Sequence, residues 1–320
     1  MSIAAQIEKF AKTNVLVIGD IMLDTYIKGT VDRMSPEAPV PVVSENNRYF
    51  CLGGAANVAL NLKALGAKTH LISVIGKDAI GQKIQVLLEK ESIEATLITD
   101  QSRKTTNKTR VFNGENQVLR IDDESLFAIS DAIQEKIINE LKSKKEIDLV
   151  IIQDYNKGLF TPDLIKQVIN YCNQENIFIA VDPKKDNFNS FQNVNLFKPN
   201  LRELETGLNL TIDANDKDRV KQCVELIHEL LNAQYTLVTM AEKGLFIKGS
   251  QNNLVPTSKV NVKDVSGAGD TVISIASLCL VNQIDEITTG MLANLAAGIV
   301  CQEIGIVPIT KNDILKALNE

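Results

Sequence analysis

An α/β fold, with a central and mostly parallel sheet covered by helices on both faces, is what this 320-residue sequence predicts. Three observations predict it. Short β-branched runs alternate with longer amphipathic stretches, the rhythm of strand–helix–strand units. The runs are brief and mainly apolar, as strands buried on both faces are. Two polar-alternating segments interrupt that rhythm and read as a small β-sheet protruding from the main body.

The expected strands of the main sheet are residues 15–18, 70–75, 149–152, 178–181, 195–197 and 236–239. The expected helices are residues 55–65, 80–91, 130–142, 162–174, 216–231, 268–280 and 285–303. The interrupting segments, about residues 25–50 and 105–122, carry extended runs such as Lys108-Thr109-Arg110-Val111-Phe112 and Gln117-Val118-Leu119-Arg120-Ile121. Between those two runs lies Asn113-Gly114-Glu115-Asn116, the chemistry of a hairpin turn. A sheet of this kind has one spare face, to be covered by substrate or by a second subunit. A lid is the economical reading. The length allows two units, or one large domain with a small appendage; we read residues 1–320 as one domain with the lid inserted in it.

With 34 Lys+Arg against 40 Asp+Glu the formal charge is −6, which argues against nucleic acid as the main partner. The longest candidate membrane run, residues 272–281, is short of the roughly 20 apolar residues that a spanning helix needs. The first apolar stretch, Val15-Leu16-Val17-Ile18-Gly19, is cut by Asp20 and does not read as a secretory signal. Five scattered Cys without a C-x-x-C pair read as buried small hydrophobes in a reducing cytosol, so a cytoplasmic protein is expected. Only two His, His70 and His228, stand far apart, which leaves His-rich zinc sites and Ser-His-Asp triads without material.

The strongest chemical feature is Asp264-Val265-Ser266-Gly267-Ala268-Gly269-Asp270-Thr271, leading directly into an apolar helix. Small residues at a helix start leave N–H groups uncovered, and the helix dipole adds positive charge there. Asp270, at the mouth of such a pocket, is suited to accept a proton. The alternative is a glycine-rich N-cap that binds nothing.

A second cluster, Gly53-Gly54-Ala55-Ala56-Asn57, also opens a helix, and Asn57 offers a donor and an acceptor to a sugar hydroxyl. Tight helix–strand packing explains those glycines equally well. Asp20 and Asp24 follow the first strand, where α/β sheets bind ligands; paired carboxylates there grip polyols, or simply make a turn and a surface charge. Asp154, Asp182 with Lys184, and Lys198-Pro199-Asn200-Leu201-Arg202-Glu203 repeat the arrangement at later strand ends. Asn200 and Glu203 there are candidates to reach a Mg²⁺ through water. The stretch Gly76-Lys77-Asp78-Ala79-Ile80-Gly81-Gln82-Lys83 misses the P-loop pattern because Gln82 stands where its Lys belongs.

Together, residues 53–57 and 264–270 resemble the two signatures of the ribokinase (PfkB) family of sugar kinases, and the resemblance covers essentially the whole chain. Within that family, Arg33-Met34-Ser35-Pro36-Glu37-Ala38-Pro39-Val40-Pro41-Val42 looks like the hallmark of kinases of D-glycero-β-D-manno-heptose 7-phosphate. So do Asp154-Tyr155-Asn156-Lys157-Gly158 and Asp182-Pro183-Lys184. The common form has Ile at Met34 and Thr at Ser266, both conservative differences.

The resemblance implies a ribokinase-like fold and transfer of the ATP γ-phosphoryl group to O1 of the heptose 7-phosphate. It implies Asp270 as base, and the amides of Gly267, Ala268 and Gly269 as an anion hole. Asn200 and Glu203 would organise Mg²⁺ and the phosphates, with a monovalent cation as a further possible cofactor. Thr239, Gly244, Ser266, Asn294 and Ala297 would border the nucleotide, although packing explains Asn294 and Ala297 as well. Asp20, Asp24, Gly53, Gly54, Asn57 and Asp154 would hold the sugar.

The cations expected for the substrate phosphate are Lys108, Arg110, Arg120, Lys157 and Lys184; singly, each also reads as a solvated charge. A homodimer through the lid is expected. Many such kinases are fused to an adenylyltransferase. No H-x-G-H motif occurs here, so a stand-alone kinase is expected, with a separate adenylyltransferase acting downstream in ADP-heptose synthesis for a surface glycan. The competing readings are a kinase of a ribose, fructose or tagatose derivative, and a sugar-phosphate sensor without catalysis. A dinucleotide oxidoreductase is set aside, since no G-x-G-x-x-G follows the first strand.

Overall fold

The computed structural model describes residues 2–318. A short helix α1 (Ile3–Ile7) leads to β1 (Asn14–Gly19), after which β2 (Ile21–Met34) and β3 (Pro41–Gly54) form a long antiparallel pair. The chain returns through α2 (Ala55–Ala64), β4 (Lys68–Gly76), α3 (Ala79–Lys90) and β5 (Glu94–Asp100). A second excursion, β6 (Thr106–Asn113) and β7 (Asn116–Asp123), follows. Then come α4 (Asp131–Ser143), β8 (Leu149–Gln153), α5 (Pro162–Gln174), β9 (Phe178–Asp182) and β10 (Leu196–Phe197). The chain continues with α6 (Leu201–Leu208), α7 (Lys217–Leu231), β11 (Tyr235–Thr239), β12 (Leu245–Lys248) and β13 (Asn252–Val255). It closes with α8 (Ala268–Val281), α9 (Glu286–Val300) and α10 (Lys311–Ala317).

Nine strands form the main sheet in the order β13-β12-β11-β10-β9-β8-β1-β4-β5, parallel except for the β11-β12-β13 edge. The expected architecture is therefore present, as are all six expected strands and all seven expected helices. Alternate residues of each strand face opposite cores. Val15, Val17, Leu71 and Ile151 pack with α2, α3, α8 and α9, while Leu16, Ile18, Ile72 and Ile152 pack with α4, α5 and α7. Such two-sided burial is what the unbroken apolar runs required. β5, β12, β13 and the short helices α1, α6 and α10 were not anticipated, and α9 ends at Val300 rather than at 303.

The order of strands reverses at β1, which pairs with β4 on one side and β8 on the other. A crevice opens at the carboxyl ends of strands at such a switch point. The second sheet, β3-β2-β6-β7, rises beside it. It is mixed, since β2 pairs parallel to β6 and antiparallel to β3. It also starts nearer the body than expected, because Ile21, Met22 and Leu23 are buried there. Tyr26 stacks on Tyr49 at 4.8 Å between centroids, stiffening the sheet where it leaves the body. β7 is exposed along its whole length. Among the described residues no helix is long and apolar enough to cross a membrane.

Candidate active site

The turn before α8 is built on Gly267, the helix N-cap, at φ 83°. An L side chain is strained at that angle, and a Cβ would lie 2.8 Å from Asn57 Nδ2. The amides of Gly267 and Gly269 have no hydrogen-bond partner among the described residues. The Ala268 amide does, donating to the Val265 carbonyl at 3.2 Å. Of the three amides expected to form an anion hole, that of Ala268 is thus engaged in the turn, while those of Gly267 and Gly269 are unpaired among the described residues.

Asp270, in the first turn of α8, is buried. Its Oδ2 accepts from Asn57 Nδ2 at 2.7 Å, and its Oδ1 from Gln153 Nε2 at 3.0 Å and the Tyr155 hydroxyl at 2.8 Å. No cation pairs with it among the described residues. Burial pushes its pKa up to about 6; the Asn57 bond works against that and the Asp182 carboxylate adds to it. A carboxylate so tuned is a competent base near neutrality.

Beside it, a cavity of about 190 Å³ is walled by Asp182, Lys184, Lys198, Asn200, Glu203 and Gly269. Lys198 Nζ is 3.1 Å from Asp182 Oδ2, and Lys184 Nζ is 3.5 Å from Asp182 Oδ1 and bonded to Glu203. Burial would raise the Asp182 pKa, but the two ammonium groups outweigh it and hold the carboxyl below its ordinary value. Asn200 and Glu203 form a reciprocal capping box on α6, each side chain bonding the other's amide at 2.8 Å. Thr239 lines the same cavity.

No group of three metal-ligating side chains occurs among the described residues. One carboxylate and one carboxamide at a cavity edge nonetheless fit a Mg²⁺ that arrives on nucleotide phosphates and keeps its waters.

Between β1 and β2, Asp20 accepts from the amides of Tyr155 (2.8 Å) and Lys157 (3.2 Å). Burial and then the Asp154 carboxylate push its pKa up to about 7. Asp24 is buried and bonded to Arg110. A Cβ at Gly53 would collide with Asp24 Oδ2, and one at Gly54, at φ 60°, with the Asp20 carbonyl. Close approach of β2 to the end of β3 therefore already explains both glycines.

Asp154 is turned into the body, where it accepts from the Asn156 amide at 2.8 Å and Asn187 Nδ2 at 3.0 Å. It supports the loop under the site and does not line the cavity. Arg120 pairs with Asp122 on the exposed β7, and Lys157 with Glu124 at 2.7 Å. Gly244, at φ 89°, makes the turn before β12, where a Cβ would strike the Val255 carbonyl. Asn294 Nδ2 donates to the carbonyls of Val255 (3.0 Å) and Pro256 (3.2 Å) and so fastens the end of β13. Ser266 donates its amide to Asp264 Oδ1 at 2.9 Å. Ala297 is half-buried on α9. For Gly244 and Asn294 these structural bonds account for the residue without a nucleotide.

Three residues in or beside the site went unassigned by the sequence: Gln153, Tyr155 and Arg103. Gln153 had a signal, being the one polar residue that ends the apolar run of β8, and it is wholly buried. Arg103, also buried, donates to the Phe127 and Lys157 carbonyls and holds the loop that binds Asp20.

A family model described as pfkB family carbohydrate kinase matches residues 12–312. The bifunctional protein HldE of Aliarcobacter butzleri (strain RM4018) is 37% identical over 305 residues, covering 95% of this chain and 64% of that protein. The protein of the same name from Caulobacter sp. (strain K31) is 36% identical over 309 residues, covering 96% and 63%. The chain thus spans a little under two thirds of the length of these curated relatives.

Among solved structures, phosphofructokinase-2 from Escherichia coli in complex with potassium superposes with a TM-score of 0.83 at 18% identity, over 96% of this chain and 98% of that one. Ribokinase from Arabidopsis thaliana, complexed with ribose and ATP, gives 0.75 at 18%, over 96% and 99%. Likeness at that identity speaks to the fold, which is ribokinase-like. With a family model matching nearly its whole length and a buried carboxylate at the glycine turn, the chain belongs to the pfkB family of carbohydrate kinases.

Proposed function

We propose that this chain transfers the γ-phosphoryl group of ATP to O1 of D-glycero-β-D-manno-heptose 7-phosphate, giving the 1,7-bisphosphate and ADP. The observation that carries phosphoryl transfer is Asp270: a buried carboxylate without an ion pair among the described residues, beside the uncommitted amides of Gly267 and Gly269 and across a cavity from Lys184 and Lys198. In this reading Asp270 takes the O1 proton as O1 bonds to the γ-phosphorus. The bond from that phosphorus to the bridging oxygen breaks, and ADP departs. The glycine amides and the two lysines offset the charge that spreads over the transferring group. Asn200 and Glu203 would hold Mg²⁺ through water; when bound it neutralises phosphate charge.

The choice of heptose rests on the segment Arg33–Val42, on Asp154–Gly158, and on relatives that carry the HldE name. A phosphate on the substrate needs a cation, and four of the five candidates are already paired: Arg110 with Asp24, Arg120 with Asp122, Lys157 with Glu124 and Lys184 with Glu203. Lys108 alone of the five makes no ion pair among the described residues, and we assign it the 7-phosphate. Burial and the neighbouring Lys157 charge depress its pKa, a strain that a dianion relieves.

The second sheet would close over the sugar, and its exposed Val118, Leu119 and Ile121 would pair with a second copy of the chain. Light scattering that returned a monomer at micromolar concentration would remove that pairing.

A coupled ADP-release assay over phosphorylated and free sugars tests the substrate. Heptose 7-phosphate should give the highest kcat/KM. A larger value for a ribose, fructose or tagatose derivative would replace the heptose reading, and no turnover with any sugar would leave a sensor.

A further inference from the structure

A carboxylate offers about four lone-pair positions, two on each oxygen. In Asp270 they are unevenly used. Oδ1 receives two donors, Gln153 Nε2 at 3.0 Å and the Tyr155 hydroxyl at 2.8 Å. Oδ2 receives one, Asn57 Nδ2 at 2.7 Å. The open position is therefore on Oδ2, and Asn57 Nδ2 in turn lies against Gly267, on the side of the free amides. We infer that Tyr155 is a positioning residue: with Gln153 it fills Oδ1, so that Oδ2 is the oxygen that takes the acceptor's proton. This rests on the kinase reading of the site.

Tyr155 is well held for that task. Its ring lies 5.8 Å from Lys108 Nζ and 5.3 Å from Lys184 Nζ, and its amide donates to Asp20 Oδ2 at 2.8 Å. One residue thus ties the carboxylate after β1 to the carboxylate at the start of α8. Burial raises the phenol's own pKa, which keeps the hydroxyl protonated and donating.

The charged groups that reach Asp270 are Asp182 at the end of β9, Lys184 just beyond it, and Lys198 after β10. Gln153 and Asn57, from β8 and α2, are neutral donors. Loss of the phenolic proton donor removes one support of the ionised form without touching those charges.

Tyr155→Phe keeps the ring and its backbone bond to Asp20, and it tests the inference in two ways. In kcat against pH, the acid limb should move up by about 1 pH unit, the order of one hydrogen bond to a charged group. Activity at pH 6 would then fall about five-fold while the plateau above pH 8 stays within about three-fold, with KM for ATP unchanged. The ¹³Cγ resonance of Asp270, assigned by its loss in Asp270→Asn, should titrate at a pH higher by the same amount in the unliganded protein. A uniform loss of kcat with the limb and the resonance unmoved would overturn the inference. The resonance needs no substrate. A wild-type protein inactive on every sugar phosphate would therefore defeat the substrate reading alone, and the titration would still decide the role of Tyr155.

Discussion

Asn57, in the first turn of α2, donates its Nδ2 to Oδ2 of Asp270 at 2.7 Å, joining two glycine-led helix starts that lie 213 positions apart in the chain. Asn57 is itself braced by Asn61, whose Nδ2 donates to the Asn57 carbonyl at 2.9 Å and to its Oδ1 at 3.2 Å. Asn61 Oδ1 in turn accepts from the Ile309 amide at 3.0 Å. A buried chain of carboxamides thus fixes the Asp270 carboxylate, and in such a chain each member needs the next.

Asn57→Ala should therefore cost more than one hydrogen bond. It leaves Asn61 without one partner and strips Oδ2 of its donor, a penalty of about 1–3 kcal/mol for a buried group left unpaired. The Asp270 carboxyl should titrate above the wild-type value, because the bond that is lost favours its ionised form. Denaturant unfolding measures the first effect and the acid limb of kcat the second. A variant with wild-type stability and an unmoved limb would show that the bond does no work.

How much of this was legible beforehand follows from which forces act locally. The strands of the main sheet were legible because burial on both faces leaves continuous apolar runs such as Leu149–Gln153, with Gln153 as the sole polar end. The glycine turns were legible because Gly267 must adopt a positive φ. Which charges stay free was not legible. Arg110 is spent on Asp24, a neighbour created only when β6 pairs with β2, and Lys157 is spent on Glu124 across two loops. The pairing of Tyr155 with Asp270 is equally non-local, a meeting of the end of β8 with the start of α8. β12 and β13 carry weaker apolar runs, Leu245–Ile247 before Lys248 and a β13 that opens on Asn252-Asn253, so neither stands out in the sequence.

Asp270→Asn should leave the fold and nucleotide binding in place and lower kcat by roughly 10²–10⁴, the usual contribution of a general base. The wild-type pH profile carries the same information. The base works as a carboxylate, so activity should fall as pH drops through about 6, the value to which burial raises this group, and level off about a unit above it. Steady-state rates of ADP release between pH 5 and 9 check both expectations. A limb near pH 4, the ordinary aspartate range, would mean that the buried carboxylate is not the titrating base.

Lys108→Met removes the one candidate cation that makes no ion pair among the described residues, its Nζ lying 5.8 Å from the Tyr155 ring centroid, and keeps a side chain of similar length. If Lys108 holds the substrate's phosphate, KM for the sugar phosphate should rise by about 10–100-fold, in line with the loss of one charged hydrogen bond. KM for ATP should hardly move, because the cavity walled by Lys184 and Lys198 is not lined by Lys108. Arg120→Met is the control, since Arg120 is exposed on β7 and paired with Asp122, and it should change neither constant. An equal rise for both variants would point to diffuse charge steering and away from a built phosphate site.

Asp20 allows a test of stability in which the sign is set by linkage. Its pKa is raised by burial and by Asp154, to about 7, so the folded protein holds this proton more tightly than the unfolded chain does. Between about pH 4 and 7 the group therefore destabilises the fold progressively as pH rises, and above 7 the full cost is present. Both amides that bind Asp20, those of Tyr155 and Lys157, donate to Oδ2, which the carbonyl of an Asn can replace. Asp20→Asn should then be the more stable protein at pH 8, by about 1–3 kcal/mol in urea unfolding, with the difference shrinking to zero toward pH 4. The same variant should phosphorylate sugar poorly if Asp20 grips the acceptor's hydroxyls. A variant less stable than wild type at pH 8 would mean that the two amides outweigh burial and that the carboxyl is not raised above its ordinary value.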